Sequence, residues 1–479
     1  MTNREFDRHE DHVMISPFRK MAYGLGNFGS SISENLVMNF VMIFYPVILK
    51  LNPAVVGVAL LWPRLWDAVA DPLMGQISDR TRSRWGRRRP YILFGAPLFG
   101  LVTFFMFAPP ASLSDHGLML YISILAFVYY TTYSIVIVPY TALGAELSID
   151  YHERTRVQAW RSVLMFCANF LTAATWWLTR QPVFPNERVG SMVVVGVFSV
   201  LCVCGLWACF AGTREEKEIQ GQTGVPLFRS LALTFSNRGF VVLGLAYALL
   251  IIGLWGGFGL SNYVTIYYVL GGVNNDMAAK LQMVAGLIMT PASMAGCVFW
   301  AWIGTHIGKR NGLLASLFTI AAIAPFSWFL FTPTMPYLQL VMSGLLGFCF
   351  GALTVFPNSM VADLCDLDEV QSFARREGAY NGIIAFVVKV GFSGTFFMTG
   401  ALLKLSGFNE KIDVQAPEAM TRIRILMAVI PVLVMAMAAI LLIFYPLNEK
   451  RVHEIRDILE KRRAERLSEK AEGMELSTT

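Results

Sequence analysis

Apolar residues in this chain come in runs of about twenty or more, separated by short polar connectors, which is the length a helix needs to cross a bilayer core of about 30 Å. The runs predict spans over 21–50, 53–79, 90–110, 117–145, 158–180, 190–212, 239–270, 278–303, 311–331, 336–362, 377–404 and 422–446. The expected fold class is an all-α polytopic membrane protein of about twelve transmembrane helices. The longest interior polar connector, 213–238, follows the sixth span. It divides the membrane region into bundles over 21–212 and 239–446, with tails over 1–20 and 447–479. Two similar six-helix halves with a substrate site between them are a recurring transporter plan. The last tail reads as a charged helix lying in solvent or on the membrane surface, then a disordered end.

Composition agrees: 55% of the 479 residues are hydrophobic and only 15% charged, against about 25% in soluble chains. The net charge of +6 does not point to nucleic acid, because Lys and Arg concentrate in alternate connectors and in both tails. By the positive-inside rule both termini are expected in the cytoplasm. No cleavable signal peptide is expected, because the first twenty residues are polar and the apolar run after them is a full span. The seven Cys mostly lie in apolar runs without metal-ligand spacing and read as core thiols. No phosphate-binding Gly-rich loop, HExxH helix or GxSxG elbow occurs, so neither ATP-driven transport by this chain alone nor familiar hydrolase chemistry is expected.

The informative residues are the charges inside the apolar runs, each costing several kcal/mol unless paired or hydrated. Arg64, Asp67 and Asp71 in the second span (LLWPRLWDAVADPLMG) share one helix face. Two carboxylates one turn apart can hold a sodium ion with neighbouring oxygens, or share a proton; the competing reading is a structural Arg–Asp pair. Lys389, about ten residues from either end of the eleventh span, can neutralise those acids when no cation is bound; the alternative is a permanent bridge between the halves. Glu34 lies in a polar stripe with Asn27, Ser30, Ser31, Ser33 and Asn35 and suits either substrate hydroxyls, a proton, or pairing with Arg161. Tyr129, Tyr130 and Tyr133 in the fourth span, Trp255 in the seventh, and Tyr380 and Asn381 in the eleventh can form an aromatic and amide wall for a sugar, although most aromatics in such a chain serve packing.

Three ordered stretches carry a family resemblance: RLWDAVADPLMGQISDRTRSRWGRRRP from Arg64, VPYTALGAELSIDYHERTRVQAWR from Val138, and PNSMVADLCDLDEVQSFARREGAYNGIIAFVVKVG from Pro357. They resemble the glycoside–pentoside–hexuronide:cation symporters, a branch of the major facilitator superfamily. The resemblance implies two six-helix bundles and sugar uptake driven by sodium, lithium or protons. It places the cation-site acids on Asp67 and Asp71, the preceding arginine on Arg64 and the eleventh-helix lysine on Lys389. It implies a cytoplasmic gate built from Asp79, the Arg80 to Arg89 connector (Arg80, Arg87, Arg88, Arg89), Asp363, Asp366, Arg375, Arg376 and Glu377, with Arg154 and Arg161 matching arginines after the fourth helix.

Departures from the family's galactoside carriers fall at the substrate site: a first-helix acid is replaced by Ser31 with Glu34 one turn away, a fourth-helix acid falls near Ile137, and an amide beside the cation pair is Ala70. The expected function is therefore cation-coupled uptake of a sugar or glycoside, including an anionic uronide or sulfo-sugar met by Arg161 and Lys389. A lysolipid or amphiphile carrier and a sucrose-type proton-coupled carrier are the alternatives within transport. A non-transporting membrane sensor and an enzyme stand further off. A monomer in a bacterial inner membrane, without a cofactor, completes the expectation.

Overall fold

The computed structural model describes residues 15–147, 151–215, 238–272, 276–372, 377–447 and most of 449–462. Among the described residues, twelve helices are long and apolar enough to cross a membrane: α1 (Pro17–Ile48), α2 (Pro53–Arg80), α3 (Arg89–Met106), α4 (Asp115–Gly144), α5 (Arg156–Thr179), α6 (Glu187–Gly212), α7 (Arg238–Val269), α8 (Met277–Ile307), α9 (Lys309–Leu330), α10 (Pro336–Val370), α11 (Gly382–Ser406) and α12 (Pro417–Ile443). The helical backbone runs back to Tyr151 ahead of α5 and to Glu377 ahead of α11. Starts are marked by side chains that accept the otherwise orphaned first amides: Ser16 before α1, Asn52 before α2, Ser114 before α4 and Asn186 before α6. Pro17 and Pro53 sit in first turns, where their missing N–H costs nothing.

In the first half α1 packs on α5 and α6, and α2 on α4; in the second, α7 packs on α11 and α12, and α8 on α10. The two halves echo each other: α1 and α7 both widen into π-helical turns near their ends, at Leu36–Phe40, Phe44–Ile48 and Val264–Val269. Packing within the halves is close enough to exclude side chains. A Cβ on Gly29 would stand 2.5 Å from the Cys202 carbonyl of α6, and one on Gly296 2.0 Å from the Phe348 carbonyl of α10. Large apolar side chains such as Trp62, Val298, Phe329 and Leu405 remain exposed around the outside, as lipid-facing positions do. Of the seven free cysteines, Cys202, Cys209, Cys349 and Cys365 are buried, whereas Cys167 and Cys204 are exposed rather than core thiols.

Both ends of the described chain leave from one face, here called the terminal face. The halves meet mainly along α2 with α11 and α5 with α8, and they are closed on the opposite face. There Lys50 pairs with Asp413 at 2.5 Å, Asn52 donates to Glu410 at 3.3 Å, Arg180 pairs with Asp276 at 3.1 Å, and Tyr263 donates to the Met42 carbonyl. A Cβ on Gly400 would stand 2.6 Å from the Pro53 carbonyl, and one on Gly57 2.7 Å from that of Phe396. Toward the terminal face, a Cβ on Gly382 of α11 would meet no described atom within 4 Å.

The tail differs from its expected solvated placement. Leu447, Ile455 and Leu459 are buried against the second half, and Arg462 donates to the Val370 carbonyl at the end of α10. Their spacing puts the apolar residues on one helical face, which the high charge of the segment obscures.

Candidate functional site

The site lies where α2, α4 and α11 meet. Pro63 and Pro72 bracket the polar stretch of α2, each removing one ladder hydrogen bond. The helical repeat then aligns Arg64, Asp67 and Asp71 toward the facing helices. Asp67 is fully buried; the Asp71 side chain keeps 29% of its surface exposed. Lys389 crosses from the other half and places Nζ 2.8 Å from Asp67 Oδ2, 2.5 Å from Asp71 Oδ2 and 3.4 Å from the Asp67 carbonyl. On the far side of both carboxylates, Ser134 Oγ of α4 stands 2.9 Å from Asp67 Oδ1 and 2.7 Å from Asp71 Oδ1. One hydroxyl hydrogen serves one acceptor at a time, so the three oxygens are poised to accept a further cation or proton.

Arg64 is held differently. Its Nη1 is 4.0 Å from Asp67 Oδ2, its guanidinium lies over Tyr130 at 4.8 Å and Phe392 at 5.9 Å, and its buried Nε has no hydrogen-bond partner among the described residues. Phe392 stands one turn beyond Lys389 and also meets Trp255 of α7 at 5.8 Å. A line from Tyr130 through Arg64 and Phe392 to Trp255 thus joins the halves next to the acids. Trp255 Nε1 is likewise buried without a partner among the described residues. The donor set around the acids is all oxygen, which suits a hard cation and not a soft transition metal.

The structure brings Arg64, Asp67, Asp71 and Lys389 together, with Tyr130 beside them. Glu34, half-buried on α1, lies within electrostatic reach of Arg64, Tyr129, Tyr130 and Tyr133. Tyr133 packs on Phe99 and Tyr129, and Ser31 is buried one turn before Glu34. Asn35 is occupied by Asn169 of α5 at 2.7 Å. Arg161 is clamped by Asn27, whose Oδ1 accepts from Nε at 3.3 Å while its Nδ2 donates to the Arg161 carbonyl. Tyr380 is not on the wall of this site: it is buried in the second half's core, edge-on to Phe240. It precedes Lys389 by nine residues, two and a half helical turns, so it faces the other way.

The charges of the implied gate form pairs within each half. Arg88 meets Asp79 at 3.0 Å, and Glu215 accepts the backbone N–H groups of Arg87, Arg88 and Arg89 at 2.7, 2.7 and 3.1 Å, capping α3. Gly86 is required there: its φ is +105° and a Cβ would strike the Glu215 carboxylate. Arg89 reaches the Phe210 carbonyl, while Arg80 is exposed at the end of α2. In the second half Lys309 meets Asp363 at 2.7 Å, and Asp366 is half-buried on the same helix. Glu153, just ahead of α5, accepts from Lys20 at 2.7 Å, Arg156 at 2.6 Å and the Ile15 amide at 3.2 Å. Burial alone would raise its carboxyl, but these hydrogen bonds hold it below the usual carboxylate value. Arg375 and Arg376, and the side chains of Arg154, Glu377 and Asn381, lie outside the described residues.

Three participants were missed in the sequence. Ser134 ends the YYTTYS run, Phe392 sits one turn from Lys389, and Glu215 opens the connector after α6. Helical spacing could have found Phe392; nothing distinguishes Ser134 from its neighbouring hydroxyls.

Residues 22–449 match the family model described as MFS/sugar transport protein. The chain belongs to that family, the glycoside–pentoside–hexuronide symporters. It is therefore a multi-pass membrane transporter and not an enzyme. It is 28% identical to a putative glycoside/cation symporter of Escherichia coli, over 93% of this chain and 95% of the relative. It is 25% identical to the isoprimeverose transporter of Lactiplantibacillus pentosus, over 94% and 92%. A crystal structure of a D-xylose–proton symporter shares the fold, with a TM-score of 0.64 at 12% identity over 90% of this chain and 98% of that one.

Proposed function

We propose that this symporter couples uptake of a sugar or glycoside to a sodium ion or proton by alternating access, with Asp67 and Asp71 as the coupling site. The observation that carries the reading is the position of Lys389: an ammonium of one half seated between two carboxylates of the other. A bound cation and Lys389 compete for the charge of the same two carboxylates, Lys389 at their Oδ2 atoms and the cation beside Ser134 at their Oδ1 atoms, so loading the site loosens a link between the halves. Ion affinity is thereby tied to the relation of the bundles, which is what coupling requires. The basic terminal face is cytoplasmic on the positive-inside rule, so this state, closed on the opposite face, is inward-facing. Sugar contacts fall to the neighbourhood of Arg64, Tyr130, Trp255 and Glu34, where a carboxylate and donors unpaired among the described residues stand beside aromatic faces suited to a sugar ring.

The test is uptake of radiolabelled isoprimeverose, D-xylose and methyl β-D-glucuronide into proteoliposomes under an inward sodium or proton gradient. At least one sugar is expected to accumulate, and Asp67→Asn and Asp71→Asn to abolish accumulation against the gradient. Accumulation that survives both substitutions would place the coupling site elsewhere.

A further inference from the structure

We propose a second sugar-binding station on the opposite face, a recess in the second half that receives substrate before it reaches the central site; this rests on the sugar-symport reading above. The recess is lined by Asn262 and Thr265 of α7, Gln282 of α8, and Gln339 and Ser343 of α10, with Trp176 of α5 closing it from the other half. Thr265 and Gln339 satisfy each other, and Gln339 Nε2 donates to the Pro336 carbonyl. Gln282 Oε1 is different: it is buried and no described group donates to it. A buried acceptor without a partner is uncommon and calls for a ligand or water.

The lid is latched across the interface between the halves. Trp176 is buried, and its Nε1 points to Glu187 Oε2 at 3.5 Å. Arg180, one turn further, pairs with Asp276 at the start of α8 at 3.1 Å and with Glu187 at 3.4 Å. In this closed state the void is about 30 Å³, room for water and not for a sugar ring. Any movement that separates the halves on this face must break the Arg180–Asp276 pair and withdraw Trp176. The recess then opens to the outside with the amides of Asn262 and Gln282 and the Ser343 hydroxyl exposed.

That chemistry selects a polyol. Side-chain amides both donate and accept, as vicinal hydroxyls do, and the aromatic walls, Phe258 and Trp176, suit the apolar face of the ring. The recess also continues inward. Asn262, Phe258 and Trp255 share one face of α7, Phe258 meets Trp255 at 5.7 Å, and Trp255 meets Phe392 of the central line. A sugar moving inward along this face exchanges one amide and aromatic site for the next, and the lid closes behind it.

The test uses the same three radiolabelled sugars in right-side-out vesicles from cells expressing the full chain. Gln282→Leu, and separately Asn262→Leu, are expected to raise the external half-saturating concentration about tenfold, the loss of one hydrogen bond. The thermal midpoint and the uptake rate at saturating sugar stay at their parent values, and Gln282→Glu, which keeps the acceptor, retains near-parent half-saturation. If both leucine variants keep the parent half-saturation, the recess holds water only and the proposal is wrong. If they lose uptake equally at every concentration with a lowered thermal midpoint, the role is structural and the proposal is again wrong. Failure of the unmodified protein to take up any of the three sugars would instead remove the symport reading, and the recess proposal with it.

Discussion

Lys389→Ala is the sharpest perturbation of the central site. Removing the ammonium leaves Asp67, fully buried, and Asp71, partly exposed, facing each other across one serine hydroxyl, with Arg64 4.0 Å from the nearer carboxylate. Deleting one partner of a buried ion pair costs about 3–5 kcal/mol; water reaching Asp71 places this case at about 3. A cation bound at the vacated oxygens stabilises by mass action, about 2.7 kcal/mol at a concentration one hundred times its dissociation constant. The two magnitudes nearly cancel. The variant should therefore melt well below the parent in cation-free buffer and recover most of the difference as the coupling ion is added. The parent, in which the ion must first displace Lys389, should respond less. Thermal unfolding of the purified protein, over a sodium series at fixed pH and a pH series without sodium, reads both and tells the ions apart. A variant that melts with the parent in cation-free buffer, or one that neither sodium nor acid restores, would refute competition between lysine and ion.

Two further outcomes follow from the packing and the charges. Gly400→Val puts a branched side chain where a Cβ already stands 2.6 Å from the Pro53 carbonyl, so it should wedge α2 from α11 on the opposite face; spin labels at Asn52→Cys and Lys411→Cys should move apart, and an unchanged distance distribution counts against the packing argument. Glu153→Gln tests the cluster ahead of α5. Because the Glu153 carboxyl is held below its ordinary value of 4.5, its contribution to stability is complete above that pH and is lost as pH falls through the lower folded value. The variant should melt below the parent at pH 7, with the gap closing under acid conditions; a gap independent of pH excludes the carboxylate as its source.

Most of the architecture was legible because a bilayer imposes a coarse and strict rule: a span needs about twenty apolar residues, and a charge among them needs a reason. Asp67, Asp71 and Lys389 stood out on that ground alone; two acids needing a second positive charge made Lys389 a candidate partner, and the fold brings the three together. Ser134 was illegible for the converse reason. A hydroxyl is cheap in a membrane helix because it can bond back to a carbonyl one turn earlier, as Thr131 and Thr132 do to Phe127 and Val128, so its composition carries no signal. Tyr380 misled because residue type was weighed without helical phase. Glu215 was missed because it lies beyond the end of a span, where acidic residues are ordinary; only the fold shows it capping the first turn of α3. The tail helix was read by its charge, although Leu447, Val452, Ile455 and Leu459 already mark one buried face.

The placement of Lys389 also bears on how a carrier of this kind avoids leaking its ion. A symporter must reorient when empty and when fully loaded, and must not do so with the ion alone. On the proposed coupling scheme, Lys389 and Arg64 together offset the buried Asp67 and the partly exposed Asp71 in the empty carrier, so that the halves move without an uncompensated charge between them. With only a cation bound, the displaced ammonium remains at mid-depth on α11, beside Phe392 and without its carboxylates, a state costly in a low-dielectric interior. Substrate that gives this ammonium new hydrogen-bond acceptors removes the penalty. A differential of about 2.7 kcal/mol would suppress the ion-only crossing roughly one-hundredfold, within the range of ordinary coupling energies. On that proposal, the same lysine that stabilises the empty carrier makes the ion's passage conditional on the sugar. The two roles are separable by experiment, because Lys389→Ala should admit ion flux without sugar, whereas Asp71→Asn should abolish coupled accumulation altogether.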